Sequence, residues 1–217
     1  MRTKMTEEEL KQVLAAYEAN LVRQGRTGWN DALEVTFDEA DITRAERTMA
    51  EGRIKTVEFD ANRVARFRNG GELWQGTYPP TGDALARLGF DVVVLAAEEY
   101  QPPAEKFEDV VVIHAPNDDA PIQYGGDTAL ALRVSDKVAR ALHDGKKVLS
   151  TCAAGLNRSG LVSAFALLRV RPELSGKHVI EMIREARGPW ACSNADFARA
   201  IMAMKMPKRY PTMPSAT

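Results

Sequence analysis

Cys152, Arg158 and Ser159 are the residues of this chain whose types and spacing can do chemistry. They stand in the run KKVLSTCAAGLNRSG, residues 146–160. An apolar pair, Val148-Leu149, leads into the thiol, and Leu161, Val162, Phe165 and Leu168 follow the guanidinium at helical spacing. The pattern predicts a strand, a tight loop and a helix. Gly155 supplies a loop position free of Cβ sterics. A curled loop turns successive N–H groups inward as a nest for an anion. The helix N-terminus adds roughly half a positive charge, which favours phosphate and thiolate alike. Arg158 offers a planar fork matched to two phosphate oxygens. The same field favours the thiolate of Cys152, and a thiolate beside a bound phosphate is poised to attack phosphorus. A cysteine and an arginine at this spacing are a weak signal alone, because cysteine often serves as a small buried hydrophobe. Gly155, Ser159 and the strand–loop–helix context make the signal specific.

Cleavage of a phosphate ester also needs a proton for the leaving oxygen, and a positioned carboxylic acid typically contributes about 10²–10⁴-fold. Residues 114–121, HAPNDDAP, follow the predicted strand Val110–Ile113. Two prolines and adjacent aspartates suit a loop there. Asp118 and Asp119 are both candidates on this reading.

CAAGLNRSG resembles the Cys-x-x-Gly-x-x-Arg-Ser signature of the cysteine-dependent protein tyrosine phosphatase superfamily, specifically its dual-specificity branch. The resemblance extends over about residues 70–205. GELWQGTYPP is similar to the opening strand and turn of that family, and DVVVLAA to the strand before its substrate-side loops. HAPNDDAP resembles its acid loop, and ARGPWACSNADF its segment carrying an Asn and a Phe, here Asn194 and Phe197. Low-molecular-weight tyrosine phosphatases share the loop but place it near the N-terminus. One departure is Thr151, where the family usually has His before the cysteine.

The resemblance implies a two-step phosphatase. Cys152 attacks phosphorus while an acid protonates the departing oxygen, and water then hydrolyses the phosphocysteine. The family pattern places the acid at Asp119, with Asp118 as the alternative. Ser159 assists release of the sulfur, and Ala153, Ala154, Gly155, Leu156, Asn157 and Arg158 bind the phosphate. No metal or other cofactor is implied. The expected partner is a phosphorylated protein or another phosphoester. No lysine lies within the loop, which argues against a highly phosphorylated inositol lipid. Asn157-Arg158-Ser159-Gly160 also resembles the loop of RNA 5′-triphosphatases, so such an activity is an alternative, although nucleic acid is the less favoured partner. A phosphate-binding module without turnover and a rhodanese-like sulfurtransferase are further alternatives.

The elements that must position these residues read as α/β from residue 72 onward. Apolar runs at 91–97, 109–114 and 147–151 are predicted strands, and helices are expected at about 81–89, 128–144, 159–170, 176–187 and 194–204. Such alternation predicts a central, mostly parallel sheet with helices on both faces. The thiol would then sit at a strand's C-terminal end, where open α/β sheets bind ligands. Upstream, residues 6–23 and 38–51 carry amphipathic helical patterns, the second through Ile42, Ala45 and Met49, while Val57–Phe59 and Val64–Phe67 read as short strands. Asn69-Gly70-Gly71 marks a turn. The expected organisation is a helical N-terminal extension over 1–68, a catalytic domain over 69–205 and a C-terminal tail over 206–217.

The chain has 217 residues with a net charge of −1, so no global electrostatic pull toward nucleic acid or membrane is expected. No apolar run approaches the length of a membrane helix. Two cysteines, Cys152 and Cys192, argue against a disulfide scaffold and fit a reducing cytoplasm. Cys192 reads as a packing residue, or as a disulfide partner for an oxidised Cys152 if the fold joins them. His114 and His143 read as strand-end and helix-end residues, and His178 is given no role. Trp74, Tyr78 and Trp190 are candidates for lining an aromatic-phosphoester cleft, against core or rim packing.

Overall fold

The structure is a computed structural model, and it describes residues 39–49, 51–56, 58–120 and 126–205. The helix expected over 6–23 and the tail from 206 lie outside these residues. All described residues fall within one compact unit. The elements in chain order are α1 (Glu39–Met49), β1 (Arg53–Lys55), β2 (Asp60–Arg66), β3 (Glu72–Gly76), α2 (Ala84–Arg87), β4 (Val92–Ala97), β5 (Val111–Asn117), α3 (Thr128–His143), β6 (Lys147–Thr151), α4 (Arg158–Val170), α5 (Gly176–Arg187) and α6 (Ala195–Ala203). A short 3₁₀ turn spans Ala104–Lys106.

The six strands form one sheet in the order β1-β2-β3-β6-β4-β5. β3, β6, β4 and β5 run parallel, whereas β1 and β2 are antiparallel additions at one edge. The mostly parallel α/β fold read from the sequence is therefore present. β4 is buried at all six positions, so both faces of the sheet are covered at its centre. α4 is buried along nearly its whole length. Leu161, Val162, Phe165 and Leu168 anchor it, each side chain contributing about 1.5–3 kcal/mol on full burial.

Several boundaries differ from the sequence reading. The strand expected at 64–67 is the end of β2, which begins at Asp60; of the strand expected at 57–59, Glu58 and Phe59 lie outside any strand and residue 57 lies outside the described residues. β2 carries a register shift between Arg63 and Ala65, so a bulge at Val64 breaks its period-2 alternation. Residues 53–66, read as the end of a helical extension, thus supply two strands of the same sheet. α2 is a single turn of four residues, shorter than the helix expected at 81–89. β5 runs to Asn117, so His114, Ala115 and Pro116 belong to the strand and the acid loop starts at Asp118. Pro116 is tolerated there because β5 pairs on one side only, at the sheet edge.

Four parallel strands place their C-terminal ends on one rim. Thr77, Glu98, Asp118 and Cys152 are the first residues beyond those ends. No helix among the described residues is long and apolar enough to cross a membrane.

Candidate active site

β6 delivers the thiol. Thr151, its last residue, donates from Oγ1 to Val94 O at 2.8 Å, which ties β6 to β4 and leaves this hydroxyl occupied away from the sulfur. The Cys152 amide donates to Gly76 O at 3.2 Å. Cys152 is 2% exposed, and its Sγ lies 3.2 Å from Ser159 Oγ. Ser159 is in the first turn of α4, and its carbonyl accepts from Ser150 Oγ at 3.1 Å.

The loop between β6 and α4 curls at Gly155, whose φ is +66°. A Cβ there would lie 2.5 Å from the Gly76 carbonyl carbon, so glycine is required by conformation and by space. Gln75 of β3 donates from Nε2 to Gly155 O at 3.0 Å and bears on Leu156 O at 3.4 Å. The helix that follows is uncapped. Asp127, Ser175 and Asn194 each accept an amide of the helix they precede, whereas Asn157 caps nothing on α4. Its Oδ1 instead accepts from the amides of Ser193 and Asn194 at 2.8 and 3.1 Å. The first amides of α4 are therefore left for an anion.

Arg158 is 3% exposed and meets a partner the sequence reading missed. Both terminal nitrogens of its guanidinium donate to the Glu99 carboxylate, Nη2 to Oε1 at 2.8 Å, and Nη1 also donates to Asn117 O at 3.3 Å. Tyr78 Oη donates to the same Glu99 Oε1 at 2.7 Å, and its ring stacks on Tyr100. Burial pushes the Glu99 carboxyl up, but the Arg158 hydrogen bonds and charge outweigh it and hold it below the usual carboxylate range. Burial likewise works against the Arg158 charge, yet Glu99, Cys152 and Asp119 together hold its pKa above the ordinary value. Its Nε is buried and meets no hydrogen-bond partner, which leaves it as a donor for a bound oxyanion.

Asp119 stands over the loop. Its Oδ2 accepts from Asn157 Nδ2 and its Oδ1 from Asn194 Nδ2, both at 3.1 Å. Asn194 also caps α6 through the amides of Asp196 and Phe197. One carboxylate is thus tied to the loop between β6 and α4 and to the N-terminus of α6. Asp118 is half-buried beside it.

The remaining candidates divide. Trp74 is a core residue: its ring lies between Arg63 and Lys147 and packs edge-on against Phe90. Tyr78 does reach the site, through Glu99. Trp190 is 53% exposed, in the segment linking α5 to α6. His114 bonds Gln101, and His178 bonds Ser175 at the start of α5. Both cysteines are free, and Cys192 Sγ fills the space above Gly160, where a Cβ would approach it to 2.9 Å. Burial pushes the Cys192 thiol up to about 12, which suits packing.

Comparisons with known proteins bear on the family and the fold. The family model of the dual specificity phosphatase catalytic domain matches residues 73–206. A mouse putative dual specificity phosphatase, crystallised with zinc tungstate, is similar at 25% identity and a TM-score of 0.54, over 68% of this chain and 88% of that one. Kinase associated phosphatase, carrying a serine for its catalytic cysteine, is similar in fold at 19% identity and a TM-score of 0.51, over 60% and 83% of the two chains. No curated protein matches the sequence. The matched family model spans more than half the sequence, and the chain belongs to the dual specificity phosphatase family.

Proposed function

We propose that the protein hydrolyses phosphomonoesters of phosphorylated proteins, accepting phosphotyrosine, phosphoserine or phosphothreonine, through a phosphocysteine on Cys152. The observation that carries this reading is the Cys152 thiol 3.2 Å from Ser159 Oγ, at the mouth of an uncapped helix that also presents the free Nε of Arg158. The thiolate attacks phosphorus, the S–P bond forms and the P–O bond to the leaving group breaks. Asp119 gives its proton to the departing oxygen. In the second step Asp119 takes a proton from water, the hydroxide displaces sulfur, and inorganic phosphate leaves. Ser159 donates to the sulfur as its negative charge returns. Arg158 and the amides of residues 153–158 bind the equatorial oxygens, where charge redistributes during transfer.

Phosphomonoesters are favoured over polyphosphates by the rim. Glu98 and Asp118 follow the strands whose ends border the loop, and residues 153–157 carry no lysine. A polyanion would meet like charge there. A catalytic thiol must stay reduced, so the proposed place of action is the cytoplasm.

The test is hydrolysis of p-nitrophenyl phosphate by the wild type, Cys152→Ser and Asp119→Ala across about pH 5–8, the range in which acid–base catalysis is commonly assayed. Abolished turnover in Cys152→Ser and sharply reduced turnover in Asp119→Ala are expected. Unchanged turnover in Cys152→Ser would sink the mechanism.

A further inference from the structure

Three successive carbonyls of the catalytic loop are gripped by donors from outside it. Arg187, the last residue of α5, donates from Nη2 to Ala154 O at 3.3 Å and from Nε to Gly155 O at 3.2 Å. Gln75 shares Gly155 O, and the Cys192 amide takes Leu156 O at 3.2 Å. In a trans peptide the C=O and the following N–H point in opposite directions. Drawing the carbonyls of Ala154, Gly155 and Leu156 away from the hollow therefore turns the amides of Gly155, Leu156 and Asn157 toward it.

Arg187 is itself seated on β2. Its Nη1 donates to Asn62 Oδ1 at 2.6 Å and lies 3.2 Å from Asp60 Oδ2. The side chain is 4% exposed, and each of its three nitrogens has a partner. Asp60 keeps its other oxygen buried without a hydrogen bond, a cost the strand bears to hold this pair. Gly155 must lack a Cβ partly for the same contact, since a Cβ would lie 2.7 Å from Arg187 Nη2. Asp60 and Asn62 precede residue 73, where the family match begins.

We propose that Arg187, seated by Asp60 and Asn62, is a positioning residue that holds the amides of the catalytic loop toward the bound oxyanion, which makes β2 a working part of the site. The proposal rests on the reading of this loop as a phosphate cradle. The guanidinium charge is matched by Asp60, so Arg187 acts through the direction of its hydrogen bonds. It does not touch the substrate.

Three measurements on the full chain test it: calorimetric binding of inorganic phosphate, the pH dependence of Cys152 alkylation by iodoacetamide, and melting temperature. None requires turnover. Asn62→Ala is expected to weaken phosphate about three- to tenfold, the scale of one hydrogen bond, and Arg187→Met by more, since two loop contacts go with it. Alkylation should shift to higher pH in both, because fewer amides face the thiolate. Arg187→Lys should recover part of the affinity. If Arg187→Met does not fold, Asn62→Ala and Arg187→Lys decide. A wild type that fails to bind phosphate overturns the cradle reading and the proposal with it. A wild type that binds, alongside variants with unchanged affinity and alkylation profile and only a lower melting temperature, overturns the clamp alone.

Discussion

Glu99 holds the charge that faces Arg158, and its removal leaves a buried guanidinium with only the Asn117 carbonyl beside its terminal nitrogens. Glu99→Gln should cost up to about 3 kcal/mol of stability, since breaking a buried pair strands its partner. It should also lower kcat/KM by about tenfold or more, because the fork loses its orientation. The folded carboxyl lies below the unfolded value of 4.5, so its contribution to stability is present above that value and is lost as pH falls through the folded one. Glu99 therefore stays ionised across the assay range. Glu99→Gln should lower the whole pH–rate profile without moving its limbs, and a shifted limb would contradict this. Asp119→Asn should instead lose about 10²–10⁴-fold on phenyl phosphates with poor leaving groups and far less on phosphates with good ones. Steady-state kinetics over a series of leaving groups separates the two residues.

The loop and the caps act as elements. Gly155 and Gly89 share positive φ values of +66° and +76°, but only Gly155 has backbone within reach of an added Cβ. Gly89→Ala should cost about 1–2 kcal/mol of backbone strain. Gly155→Ala should cost more and should also abolish vanadate inhibition, since the loop must shift off Gly76. Thermal melting and vanadate titration of the two variants isolate packing from conformation. Equal effects on both readouts would count against the close approach of Gly155 to Gly76. Asn194→Ala removes a helix cap worth about 1 kcal/mol and one of the two amides that hold Asp119. Its kcat should fall more than its melting temperature alone explains.

The pole of the sheet opposite the site carries its own electrostatic strain. Lys147, the first residue of β6, lies against the Trp74 and Phe90 rings and donates to Leu88 O at 2.8 Å. Burial pulls its ammonium down to about 8 from 10.5. The unfolded chain then binds more protons between these values, so this residue makes the fold more stable as pH rises from about 8 to 10.5. Urea denaturation should show that gain in the wild type, and Lys147→Met should flatten it. A wild-type gain retained in full by Lys147→Met would place the titrating group elsewhere.

The sequence by itself determined the loop between β6 and α4, because residues 152–159 are consecutive and a strand, a turn and a helix N-terminus assemble them by local geometry. It also determined the parallel strands, since β4 and β6 are apolar runs buried on both faces. The bulge in β2 was hidden, because a two-for-one pairing with β3 leaves no mark on β2 alone. Asp119 and Asp118 were adjacent in a loop, and only the fold showed Asn157 and Asn194 reaching one of them. Glu99, Gln75, Arg187, Asp60 and Asn62 were illegible for the same reason. Their partners lie far off in the chain, and such side-chain contacts follow no periodicity that a single strand or helix could display. The tertiary structure alone decided what surrounds this loop, because parallel strands bring residues from separate crossovers to one rim.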